Sequence, residues 1–98
     1  MCASGLGPGY LAEWYRGDLT DEAVAAMVAA LHSATGGTAG AAPAVRLVVV
    51  LAMPSDEVVY GLFTAASELA VTEACGRAGM LPDRLTGDIG AWVVKVSA

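Results

Sequence analysis

The sequence predicts an α+β fold of ferredoxin-like topology: a four-stranded antiparallel sheet with two helices on one face, assembled as a homodimer or higher homo-oligomer. Three observations lead there. Apolar patterning gives the order β-α-β-β-α-β between Tyr10 and Val96, and two interleaved right-handed β-α-β units build such a sheet. Residues Val45–Thr64 read as two strand-like runs, VRLVVVLAM and VVYGLFT, around a short polar turn. The first run does not alternate: Leu47, Val49, Leu51 and Met53 fill one face, and Val48, Val50 and Ala52 the other. A strand buried on one face alternates apolar with polar residues. Both faces of this one therefore need cover, by the chain's own helices on one side and a second copy on the other.

The elements follow from local chemistry. Residues 1–8 read as a disordered leader, and Tyr10–Tyr15 (YLAEWY) as a short aromatic-rich strand bounded by Gly9 and Arg16-Gly17-Asp18. Thr20 is placed to cap a helix whose first turn carries Asp21 and Glu22. Val24, Met27, Val28 and Leu31 form its i, i+3, i+4, i+7 stripe. The helix should end near Ser33–Gly36. Residues 33–44, rich in Gly, Ala and Thr, read as a flexible loop. The hairpin comes next, turning around Pro54-Ser55-Asp56. A second helix starts at Ser67, buries Val71, Ala74, Cys75 and Ala78, and stops at Gly79 with Pro82 beyond. Arg84 and Leu85 lead through Gly87 and Gly90 into a last strand, Trp92–Val96. In this topology the Val-rich second strand lies at an edge, where a flat apolar strand invites association.

Composition narrows the function classes. The chain of 98 residues is one domain, 56% hydrophobic and 15% charged, which excludes a disordered chain. Its net charge is -5, with Lys95 and four arginines as its cations. Nucleic-acid binders present a basic face, so nucleic acid is disfavoured. No apolar run is long enough to span a bilayer, and the N-terminus lacks the features of a secretory signal. No membrane partner is expected, and the cytoplasm is the default compartment. Cys2 and Cys75 make no disulfide framework; Cys75 falls on the apolar stripe of the second helix.

From Tyr10 onward the stretches YLAEW, GDLTDEAV, VRLVVVLAMPSDEVVYGLF and SELAVTEACGRAGMLPDRL resemble the DUF4242 family, small bacterial domains that include a nickel-binding protein. The resemblance covers most of residues 10–86 and implies the ferredoxin-like fold and a dimer. Family members tend to carry a cysteine or glutamate in the third strand and its exit, and often a histidine in the second helix. Here those regions read Gly61, Thr64-Ala65-Ala66 and Glu73-Ala74-Cys75. Nickel favours imidazole and thiolate ligands, so nickel is implied only by the resemblance. The residues themselves require no cofactor and nominate no metal ligand.

The remaining chemical candidates are few. His32, the one histidine, closes the first helix, where its ring suits the dipole. The glycine runs at 5–9 and 36–40 lack the strand-loop-helix context and the lysine of a phosphate loop. The pairs Asp21-Glu22 and Asp56-Glu57 belong to a helix start and a turn. No catalytic residue is nominated. Polar and aromatic groups set in apolar strands stand out: Glu13, Trp14, Arg46, Tyr60 and Trp92 are the candidates for a ligand pocket on the open sheet face. Arg46 is expected on the same face as Val48 and Val50. The sequence therefore favours a non-enzymatic dimeric domain that binds a small ligand or metal. The alternatives are a cofactor-free oxygenase or isomerase of the dimeric α/β-barrel type, with Glu13 as its base, and a purely structural oligomer.

Overall fold

Thr20 and Ser67 each accept a hydrogen bond from an orphan backbone N–H three residues on, Ala23 at 3.1 Å and Ala70 at 3.2 Å. Such caps contribute about 1 kcal/mol each, and they set where the two helices begin. In the computed structural model, which describes residues 3–5, 8–36 and 45–94, the helices are α1 (Asp21–Thr35) and α2 (Glu68–Arg77). The strands are β1 (Ala3–Gly5), β2 (Gly9–Tyr15), β3 (Val45–Met53), β4 (Val58–Ala65), β5 (Arg84–Ile89) and β6 (Trp92–Val94). A 3-10 turn over Pro54–Asp56 joins β3 to β4, with Glu57 in the left-handed region at φ 53°. Helix α2 stops in a Schellman motif. Gly79 adopts φ 71°, and the N–H groups of Gly79 and Met80 return to the carbonyls of Gly76 and Cys75 at 3.0 and 2.9 Å.

The four-stranded sheet runs β3-β4-β2-β5, every pair antiparallel. This is the ferredoxin-like arrangement, with β2 and β4 central and β3 and β5 at the edges. Helices α1 and α2 cover one face. Met27 and Leu31 from α1, with Val71, Ala74 and Cys75 from α2, pack with Trp14, Val59 and Phe63 of the sheet to form the core. No described helix is long and apolar enough to cross a membrane.

Register fixes what each face holds, because cross-strand partners point the same way. On β4, Val59, Gly61, Phe63 and Ala65 are buried under the helices. Their partners Tyr10, Ala12 and Trp14 on β2 share that face. The other face carries Val58, Tyr60, Leu62 and Thr64, opposite Tyr15, Glu13, Leu11 and Gly9.

Three sequence expectations change. The register of β3 shifts between Leu47 and Val49. A bulge there inserts Val48 as an extra residue and reverses the parity of the strand. Leu47 consequently shares the helix face with Val50 and Ala52, while Arg46 joins Val49, Leu51 and Met53 on the open face. The fourth strand of the sheet is β5, not Trp92–Val96: β2 ends at Gly9 opposite Ile89, so the chain beyond Ile89 has no partner in this sheet. Finally, Ala3–Gly5 is not a disordered leader. It pairs with Trp92–Val94 in a separate two-stranded ribbon. Residues 1, 2, 6 and 7 of the expected leader, most of the expected loop (37–44), and residues 95–98 lie outside the described residues.

Candidate functional site

The open sheet face is built by three short alternations. In YLAEWY the period of two sends Leu11, Glu13 and Tyr15 outward and Tyr10, Ala12 and Trp14 under the helices. Strand β4 adds Tyr60 and Leu62, and β3 adds Val49, Leu51 and Met53. The last three are exposed by 41%, 57% and 42%. Half-buried Leu11 and Leu62 extend the apolar area toward the sheet centre. Exposed contiguous apolar area of this kind marks an interaction surface.

One polar cluster interrupts it. Glu13 faces Tyr60 across one ladder and Arg84 across the other. Its carboxylate accepts a hydrogen bond from the Tyr15 hydroxyl at 3.0 Å and meets Arg84 Nε at 3.6 Å. The Glu13 side chain is 13% exposed, its Arg84 partner 67%. Asp83 anchors the same corner: its N–H donates to the Glu13 carbonyl at 2.8 Å, and its Oδ2 accepts from the Tyr15 N–H at 2.8 Å. Tyr15 is held above its ordinary pKa of 10.0, chiefly because ionisation would lose the hydrogen bond to Glu13, and further by desolvation and the carboxylate's charge.

Of the five sequence-nominated residues, Glu13 and Tyr60 come together here. Trp14 does not: it is buried on the opposite face, its ring edge-on to Phe63 and its indole N–H donating to the Met80 carbonyl at 2.9 Å. Trp92 lies in the β1/β6 ribbon, outside the sheet. Arg46 shares the open face but pairs with Thr64, four register positions from Tyr60, about 13 Å along the strand at ~3.3 Å per residue. The sequence nominated neither Tyr15 nor Arg84. The alternation of YLAEWY could have found Tyr15, whereas Arg84 needs the β2–β5 register.

Two shallow grooves, of about 360 and 320 Å³, lie off this face, between α1 and the edge strand β3. His32 lines both. Cys75 is fully buried, and burial pushes its thiol up to about 11, so the protonated form dominates near neutral pH. Among the described residues, no three His, Cys, Asp or Glu side chains converge as a metal site would require.

No family model matches the chain, and no curated protein does. It is similar to a solved structure described as the crystal structure analysis of SCO4226 from Streptomyces coelicolor A3(2), with a TM-score of 0.59 and 19% sequence identity. The likeness covers 92% of this chain and 99% of that one. At this identity it speaks for the fold alone.

Proposed function

We propose that the chain is a homodimeric binding domain whose two open sheet faces stack on each other and hold a small, largely apolar ligand at the seam. The observation that carries this is the row Val49, Leu51 and Met53, exposed beside Leu11 and Leu62 on a face that neither described helix covers. Sheets packed face to face bury such rows at a spacing of ~10 Å. Glu13, Tyr15, Tyr60 and Arg84 supply the few polar groups that orient a ligand in an otherwise apolar site. An enzymatic role for Glu13 is less well supported, because Tyr15 and Arg84 already engage its carboxylate.

Light scattering on the purified chain tests the assembly: a dimer is expected, and a stable monomer at micromolar concentration overturns it. Amide spectra recorded with phenol, a neutral apolar probe carrying one hydroxyl, test the binding. Saturable shifts at residues 11–15 and at Tyr60 are expected; a dimer whose seam residues do not respond is a structural oligomer instead.

A further inference from the structure

The two grooves beside β3 share His32, Leu47 and Val48 and therefore form one continuous depression. Its halves differ in chemistry. One end is lined by His32, Thr35, Gly36 and Arg46, the other by Val28, Val49 and Val50. The bulge at Val48 sits where the two halves meet, between Leu47 on the helix face and Val49 on the open face.

We propose that this depression binds a small apolar carboxylate, its anionic group taken by Arg46 and His32 and its hydrocarbon part by Val28, Leu47 and Val48. Charge argues for the anion. In a chain of net charge -5, two of the four arginines find a use nearby: Arg84 meets Glu13, and Arg77 donates to the Ala34 carbonyl at 3.1 Å; of Arg16 and Arg46, the latter lines this depression. Among the described residues, Arg46 has neither a carboxylate nor a side-chain hydrogen-bond partner. The neighbouring residues 37–44, GTAGAAPA, contain no acidic side chain to supply one.

The guanidinium fork matches a carboxylate with two parallel hydrogen bonds. Imidazole adds a donor in either protonation state. The Thr35 hydroxyl hydrogen is directed to the carbonyls of Leu31 and His32, at 2.9 and 3.2 Å, so Thr35 contributes no donor. The carbonyls at the C-terminal end of α1 disfavour an anion; Arg46 and His32 are therefore both needed. The groove volumes lie at the small end for ligand sites, which suits a compact acid with one ring or a short chain.

Phenylacetate is the probe, and its neutral isostere phenylacetamide the control, followed by amide and His32 imidazole shifts on the full chain. Saturable shifts confined to residues 46–50 and His32 are expected. Binding of phenylacetamide should be about tenfold weaker or worse, the usual loss when a charge-assisted hydrogen bond is removed. Arg46→Gln should weaken phenylacetate to the same extent. Because Arg46 also borders the open face, His32→Ala on the helix is measured beside it. About tenfold weakening in both variants, with unchanged thermal unfolding, supports the site. Equal binding of acid and amide, shifts elsewhere, or full binding in either variant overturns it.

Discussion

Glu13 and Arg84 are register partners on β2 and β5, and their side chains close to 3.6 Å on the uncovered face of the sheet. In a single chain the pair is half open to water and contributes about 0–1 kcal/mol. In a stacked dimer the same carboxylate would lie in a dry seam, where its hydrogen bond from Tyr15 gains weight.

Tyr15 reports on that carboxylate. Its hydroxyl is raised above 10.0 because the protonated form donates to Glu13. A group with a raised folded-state pKa stabilises the fold below its unfolded pKa and loses that contribution as pH rises through the folded value. The loss therefore falls on the alkaline side of 10.0. Glu13→Gln removes the charge, and tyrosinate absorbance should then show Tyr15 titrating closer to its ordinary value.

Leu51→Arg should separate the proposed dimer. Leu51 is more than half exposed and makes no part of the core, so the folded chain should tolerate the change, with circular dichroism unaltered. A seam containing two unpaired guanidinium groups should raise the dimer dissociation constant at least about 100-fold. Light scattering across a dilution series reads this directly.

Gly61→Ala should destabilise the sheet by about 1–3 kcal/mol, the usual range for overpacking. A Cβ at Gly61 would meet Trp14 Cζ3 at 2.9 Å and Phe63 Cε2 at 3.2 Å. The indole cannot retreat without giving up its hydrogen bond to Met80. Denaturant unfolding measures the loss. Gly76→Ala, whose new methyl would find its nearest side-chain atom at 3.8 Å on Leu81, is the control and should cost little.

Cys75 should resist thiol reagents while the chain is folded. It is fully buried and its thiol titrates near 11, so the thiolate that reacts is scarce at neutral pH. In a Cys2→Ser background, labelling should follow unfolding, accelerating with denaturant. By the same linkage as for Tyr15, any stability carried by the protonated thiol is lost as pH rises from 9.0 through about 11.

What the sequence disclosed depended on how local the signal was. Thr20, Ser67 and Gly79 are legible because cap and stop chemistry acts within a few residues. The hairpin is legible for the same reason. The faces of β3 are not: Val48, Val49 and Val50 are identical side chains, so nothing in the string marks which one the bulge inserts. That one residue parts Arg46 from Val50 and sets it on the open face with Val49. Arg84 escaped for a different reason, since its meeting with Glu13 depends on a register between strands some 70 positions apart.

The central place of β2 has a kinetic consequence. It is the first strand of the sheet along the chain, yet both its neighbours, β4 and β5, come much later. A ribosome delivers it well before anything can pair with it, whereas β3 and β4 can zip together across their short turn. Long-range pairings are the slow ones. The expected order is therefore hairpin first and β2 inserted afterwards, with β5 added last. Fluorescence of the Trp14 indole, which reaches its place only when β2 docks under the helices, should lag behind the formation of hairpin backbone hydrogen bonds in a refolding experiment. Simultaneous signals would show that the whole sheet condenses at once.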